Sequence, residues 1–565
     1  MDLTADQRQL IEAPANNSRV FLAGPAGTGK STVGVERLKY LLAKGVPGTS
    51  ILVLTPQRTL QEPYLDVIHS PGTRAGGEAT PATVGGLARR MCDLFWPIIA
   101  DKAGFAFPER PPVFLTLETA QYYMAHIVRP LLDQGYFESV TIDRNRLYSQ
   151  IIDNLNKSAA VGFPYTEIGS RLDSAWYGDP AQRRVYADAQ SCASHFREFC
   201  LAHNLLDFSL QLEIFLANLW PDPRVHNFLT TSYRHLIYDN IEEDVPRAHD
   251  LLRAWLPEFE SALLIFDTDA GYRRFLGADV DTAWALRDLC NDQVTLHESF
   301  VNSKGIAELE KSLSQVLLPA QAPVTPPDKK AFNVRDNLGI IQTRFYPELL
   351  TVVSGEIKRL IDEGLPPSEV VVIAPYLSDA LRYSLTIRLD EQGIPWRSHR
   401  PSRSLHDEPA SHSLLSLAEL AHPAWNIHPP KFDVAYALMQ SIEGLDLVRA
   451  QLLTEIVYHQ RDLSLAPFDG INTDVQERIT FSVGNRYSAL RDWLLSYRDS
   501  GLLPLDHFLR KLFGEVLSQA GFGFHRNLDS ARIAANLIES IQKFRFVMEP
   551  MLDLGGLNEV GDLGK

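Results

Sequence analysis

Cysteine is scarce in this sequence. There are four in 565 residues (Cys92, Cys192, Cys200 and Cys290), far apart and without a C-x-x-C spacing. That excludes a disulfide framework or a cysteine metal site, and the four read as reduced thiols. Long apolar runs are missing too. None reaches membrane-spanning length, and the N-terminus Met1-Asp2-Leu3-Thr4 lacks a secretory signal pattern, so no membrane partner and a cytoplasmic location are expected. Nor is positive charge in excess. Lys plus Arg number 54 against 70 Asp plus Glu, a net charge of −16, which argues against a protein that coats nucleic acid through bulk charge. A local basic channel remains open. Arg89-Arg90, Arg273-Arg274 and His399-Arg400…Arg403 are candidate clusters for one, against the plainer reading of solvated surface patches.

What is present is a glycine loop, Gly24-Pro25-Ala26-Gly27-Thr28-Gly29-Lys30-Ser31-Thr32. It follows the apolar run Arg19–Leu22 and precedes a helical pattern over Val33–Leu42. The spacing Gly24…Gly29-Lys30-Ser31 fits the P-loop template. In such a loop backbone N–H groups curl around phosphates, Lys30 reaches the β/γ-phosphates and Ser31 holds Mg²⁺. The helix adds its positive N-terminal end. ATP and Mg²⁺ are the cofactors this pattern predicts.

The chain is too long for one core. Short β-rich runs lie at Arg19–Leu22, Ile51–Leu54, Leu236–Asp239, Leu263–Phe266 and Val294–His297, with helical patterns between several of them, which predicts parallel βαβ units. A helical, aromatic-rich insertion separates the second run from the third. A Pro-rich stretch over 318–334 marks a linker. After it, strand patterns at Leu338–Thr343, Glu369–Ala374 and Ile394–Arg397 alternate with helical ones at Leu349–Glu363 and Ser378–Gln392. From about Leu405 the pattern is helical. The expected fold class is α/β, a P-loop NTPase with two RecA-like domains, the second incomplete, and large α-helical insertions. The expected units are a first RecA-like ATP-binding domain (1–85 and 233–300), a helical insertion (86–232), the first part of a second RecA-like domain (301–404) and a second helical insertion (405–565). Two such domains could close around a nucleotide as a motor stroke.

In this order the residues resemble the UvrD/Rep-type superfamily 1 DNA helicases. Leu3-Thr4-Ala5-Asp6-Gln7-Arg8 is similar to that family's adenine-reading Q motif, with Gln7 as the reading amide. Asp207-Phe208-Ser209-Leu210 resembles an Asp-Phe-x-Asp-Leu segment with its second Asp missing. Arg234 to Glu243 occupies the place of the Walker B motif, Asp267 to Ala278 that of motif III and Leu296 to Ser303 that of motif IV. The resemblance implies DNA, single-stranded, as partner, 3′-to-5′ polarity, and a setting in repair or recombination with other proteins. It implies that Asp239 orders the Mg²⁺ shell, that Phe300 stacks near adenine, and that Thr55, Thr83 and Phe275 contact DNA. Core packing is the plain alternative for both phenylalanines. The family's last two motifs are absent, from which a fragment of a longer protein is expected.

The departures fall on chemistry. Asn240 replaces the glutamate that polarises the attacking water, and a neutral amide cannot accept its proton. Ala270 replaces the γ-phosphate-sensing glutamine. Leu276 and Val301 replace arginines. Pro56 replaces a base-stacking aromatic. Lys30, Asp239, Asn240 and Glu242 are the candidate catalytic residues, with Glu242 or Glu243 as a displaced base. Two functions follow: an ATP-dependent helicase or translocase, or an ATP-binding, DNA-binding subunit whose turnover has decayed. A small-molecule kinase is a third, disfavoured by chain length and the interrupted first domain.

Overall fold

In a computed structural model, residues 3–70, 77–317, 338–398, 405–501 and 503–552 are described. The chain divides into two compact units, Met1–Asn337 and Leu338–Lys565. The Pro-rich segment 318–334 and the cluster at 399–403 lie outside the described residues.

The first unit is built on a six-stranded sheet. Its strands are β1 (Ser18–Gly24), β2 (Ile51–Leu54), β3 (Thr80–Ala82), β6 (His235–Tyr238), β7 (Ser261–Asp267) and β8 (Asp292–Thr295), in the order β3-β2-β6-β7-β1-β8. Every pairing is parallel. Parallel sheets are covered on both faces and their strands read as continuous apolar runs. That is the pattern of Ile51–Leu54 and Ala262–Phe266, all buried. All five expected strands belong to this sheet. The sixth, β3, escapes a sequence reading because Pro81 breaks the strand signal. Proline lacks the N–H a central ladder needs, and an edge position tolerates it.

Between β3 and β6 the chain is helical. Its longer helices are Leu117–Asp133, Arg144–Val161 and Ala181–Ala202. Two minimal strands, β4 (Val113–Phe114) and β5 (Leu205–Leu206), pair parallel there. Asp207 caps the helix Phe208–Ile214, accepting from the Leu210 N–H at 3.1 Å and the Ser209 N–H at 3.2 Å. It also pairs with buried Arg197 at 3.3 Å. The role of the Asp-Phe-Ser-Leu segment is thus visible locally as a helix start.

The second unit differs from expectation. The helices Tyr346–Asp362 and Asp379–Glu391 form, and they share a small core of Ile357, Leu385, Leu389 and Ile394. The expected strands at Leu338–Thr343, Glu369–Ala374 and Ile394–Arg397 do not form: these segments carry no ladder among the described residues. Among the described residues the segment therefore holds a helix pair and extended segments without a ladder. The rest of the unit is helical, with a large core running from Ala410 to Leu537. Among the described residues no helix is long and apolar enough to cross a membrane.

Candidate functional site

The carboxyl ends of β1, β6 and β7 carry the residues on which the sequence reading placed chemistry. In open parallel sheets this edge is where ligands bind. β1 ends at Gly24, and the 14-residue helix Lys30–Ala43 begins six residues after it. Gly27 and Gly29 take φ of +79° and +80°, a left-handed conformation that glycine adopts without steric cost. The loop leaves no room for side chains there. A Cβ on Gly27 would meet Val301 Cγ2 at 2.3 Å and Ser299 Oγ at 2.5 Å, and one on Gly29 would meet Gln7 Nε2 at 2.7 Å.

Within the loop Lys30 is buried. Its Nζ donates to the Pro25 carbonyl at 2.6 Å and pairs with Asp267 at 3.2 Å. The Thr28 hydroxyl donates to the Pro25 carbonyl at 3.0 Å. The Ala26 N–H donates to the Asp269 carboxylate at 3.2 Å. Thr32 continues the helix. Gln7 and Phe300 touch the loop at neighbouring residues. Gln7 Nε2 donates to the Thr28 carbonyl at 3.1 Å, and the Phe300 N–H donates to the Gly27 carbonyl at 3.0 Å. Gln7 Oε1 accepts from the Thr4 N–H at 3.0 Å in a capping box. Both ends of this amide are thus engaged within the chain, so adenine reading by Gln7 requires these bonds to be exchanged. The Phe300 ring is exposed.

Asp239 follows β6 and is buried. Its Oδ2 accepts from the Tyr64 hydroxyl at 2.9 Å, while Oδ1 is buried without a hydrogen-bond partner among the described residues. Burial raises its pKa; Tyr64, Ser31, the Asn240 backbone and Lys30 oppose that. An unsatisfied carboxylate oxygen beside a serine hydroxyl is an oxygen-ligand pair of the kind Mg²⁺ takes, completed by phosphate and water. Tyr64 gave no sequence signal. Its hydroxyl would lie 2.3 Å from a Cβ on Gly34, so Gly34 lets the helix approach closely enough for Tyr64 to reach Asp239.

Asn240 adopts φ +59° and ψ +45°. Asn is among the few residues that enter this region readily. Its Nδ2 donates to Glu242 Oε1 at 3.4 Å, and Glu242 Oε2 accepts from the Asp267 N–H at 3.0 Å. Burial lifts the Glu242 carboxyl to about 7. Glu243 serves otherwise. Its carboxylate accepts from the N–H groups of Gly271 (2.8 Å), Tyr272 (3.0 Å) and Arg273 (3.1 Å). Those three bonds hold the turn. The turn, Tyr272–Leu276, presents Tyr272 and Phe275 to solvent, Phe275 at 71%. Phe275 is therefore not a core residue.

Two of the threonines expected to contact DNA make bonds within the chain. Thr55 is fully buried and its hydroxyl donates to the Gln57 carbonyl at 2.8 Å. Thr83 caps the helix Val84–Leu94 by accepting from the Gly86 N–H at 3.0 Å. Asp267 and Asp269 were missed as site residues. They stand out only once β7 is known to run beside β1, with Asp267 paired to Gly24. Among the described residues no group of three or more His, Cys, Asp or Glu is placed to hold a metal by itself. No protein-family model matches the chain, and no curated protein matches it.

Proposed function

We propose that the chain is an ATP-dependent, nucleic-acid-acting motor of the helicase or translocase kind, working on single-stranded DNA in a repair or recombination setting. The observation that carries this reading is the convergence of Lys30, Ser31 and Asp239 at the carboxyl edge of one parallel sheet, with the exposed aromatic turn Tyr272–Leu276 suspended from the same Asp239–Glu243 segment. In this reading Lys30 leaves Asp267 for the β/γ-phosphates. Ser31 and Asp239 would hold Mg²⁺, which would neutralise charge on the phosphates. Glu242 is the general base. A carboxyl held near 7 is poised to take a proton from water at neutral pH, and Asn240 fixes its orientation. Phe275 and Tyr272 supply faces for base stacking, and Arg273 and Arg274 supply charge for phosphates.

A second reading has its own support. The side chain after Asp239 is a neutral amide, and Ala270 has no group to place on a γ-phosphate. These favour an ATP-binding, DNA-binding subunit with little turnover. ATP hydrolysis by the whole chain, measured with and without single-stranded DNA, separates the two. Turnover stimulated by DNA supports the motor. Saturable ATP binding without turnover supports the binding subunit. Absence of ATP binding removes both.

A further inference from the structure

We infer that Asp269 is the nucleotide sensor of this site and that it works by displacement: its carboxylate occupies a loop N–H that a γ-phosphate would take. The inference rests on the nucleotide-site reading above and adds a residue that discriminates triphosphate from diphosphate.

Asp269 Oδ2 accepts from the Ala26 N–H at 3.2 Å. The aspartate is itself fixed. Its own N–H donates to Asp267 Oδ1 at 2.9 Å, and its carbonyl accepts from the Tyr272 hydroxyl at 2.9 Å. Asp267 in turn neutralises Lys30 through its other oxygen at 3.2 Å. Two carboxylates on one two-residue step therefore satisfy the loop's cation and one of its amides. An incoming phosphate carries the same charge and seeks the same donors. It cannot share the Ala26 N–H with Asp269, and like charges at hydrogen-bond separation repel.

A diphosphate and a triphosphate pose different demands. Lys30 serves both. Ala26 lies at the start of the loop, four residues before Lys30, and on the nucleotide-site reading its N–H, now held by Asp269, is the donor left for a third phosphate. A diphosphate leaves Asp269 in place. A triphosphate expels it. The expelled segment is Asp269–Gly271, and its carbonyl bond to the Tyr272 hydroxyl leads straight into the exposed aromatic turn. Expulsion thus moves or loosens Tyr272 and Phe275. Ala270, which has no polar side chain, is not needed for this signal.

Asp269→Ala and Asp269→Asn test the inference in the full chain, with ADP and ATPγS as probes. Both variants should bind ATPγS more tightly, by roughly tenfold for removal of one charged competitor, while ADP affinity stays within about twofold. Exchange of the Ala26 amide, followed by hydrogen–deuterium exchange without nucleotide, should quicken in Asp269→Ala. In the wild type ATPγS but not ADP should quicken exchange across 270–276, and Asp269→Ala should lose that difference. A wild type that binds both nucleotides while its variants keep the same ATPγS-to-ADP ratio overturns the sensor alone. A wild type that binds neither nucleotide overturns the nucleotide-site reading itself. Unchanged Ala26 exchange in Asp269→Ala overturns the contact on which the sensor depends.

Discussion

Ile51–Leu54 and Val370–Ala374 are close in composition and opposite in fate. The first is a run of Ile, Leu and Val, and so is most of the second. Ile51, Leu52 and Val53 are 0% exposed between β3 and β6, whereas Ile373 is 89% exposed with no strand beside it among the described residues. The difference teaches that a strand is a property of a pair. Propensity measures how well a side chain fits a pleated, half-buried surface, and it delivers structure only where a neighbouring ladder supplies that surface. In the first unit five apolar runs supply it to one another. In the second unit burial is done by helices, and the apolar extended segments have no ladder among the described residues.

The widest separation between the two regions should appear in native-state hydrogen exchange. Amides of Ile51–Leu54 open only with the sheet, so their protection should approach that of global unfolding, on the order of 10⁴ or more. Amides of Val371–Ala374 have no ladder to break and should exchange near the rate of an open chain. Strong protection at 371–374 would break the contrast, by showing that these segments find partners in solution.

Substitution of Lys30 sharpens the contrast from the side of function, because it should register in the sheet-borne site and nowhere else. Lys30→Ala removes the buried cation of the glycine loop and leaves Asp267 without its partner. Nucleotide affinity should fall by about 10³-fold, as expected for a desolvated charge contact to phosphate. The core around Leu414 and Leu438 in the second unit should melt unchanged. Retained ATP affinity in this variant sinks the phosphate-loop assignment.

Glu242 gives the next largest effect and adds a pH signature. Glu242→Gln should cut single-turnover ATP hydrolysis by roughly 10²–10⁴-fold if the residue is the base. Its carboxyl ionises at about 7 in the folded protein against an ordinary 4.5, chiefly through burial. Between those values the folded state holds more protons than the unfolded one. Stability therefore declines as pH rises through about 5 to 7, by on the order of 2–3 kcal/mol in all. Glu242→Gln should flatten that decline. An equal pH slope in wild type and variant would exclude Glu242 as its source. Asn240→Glu should not restore turnover. The new side chain must enter φ +59°, which costs about 1–2 kcal/mol for residues other than Gly, Asn and Asp. It would also set a second carboxylate beside Glu242 in place of a donor.

How much of this was legible in the residues divides along the same line. Gly24…Lys30-Ser31 and the five strand runs carry their own signals, since close backbone turns demand glycine and buried parallel strands demand continuous apolar runs. Asp239 could be placed because it ends such a run. Tyr64 could not, since its contact with Asp239 joins residues 175 positions apart and depends on the absence of a Cβ at Gly34. Asp269 could not for the same reason, reaching Ala26 only because β7 lies beside β1. Glu243 was legible only as one of two acids near the site, because sequence order does not show three N–H groups converging on it. The strand patterns after 338 were legible as apolar runs but carry no ladder among the described residues, since a run alone cannot report its partner.

Phe275 tests whether an exposed apolar residue in the first unit has a task that one in the second lacks. At 71% exposure, Phe275→Ala should leave thermal stability nearly unchanged. Binding of single-stranded DNA should weaken by roughly 1–3 kcal/mol if a base stacks on the ring, measured by fluorescence anisotropy. Unchanged DNA affinity with unchanged stability would leave the aromatic turn without the proposed role.

The smallest effect is the most direct comparison of the two apolar runs. Val53→Thr and Ile373→Thr each place a hydroxyl where a hydrocarbon stood. In β2 the hydroxyl is sealed among β3, β6 and the helices covering the sheet, where Val53 is 0% exposed. An unpaired buried hydroxyl costs about 1–3 kcal/mol, so Val53→Thr should lower the first unit's stability by that amount. Ile373 already meets water on nearly all of its surface, so Ile373→Thr should stay within about 0.5 kcal/mol of wild type, as surface substitutions do. Denaturant melts of both variants decide the matter. A cost for Ile373→Thr as large as that for Val53→Thr would mean that residues 370–374 are buried in solution, and the difference between the two runs would then lie in which partners they find and not in whether they find any.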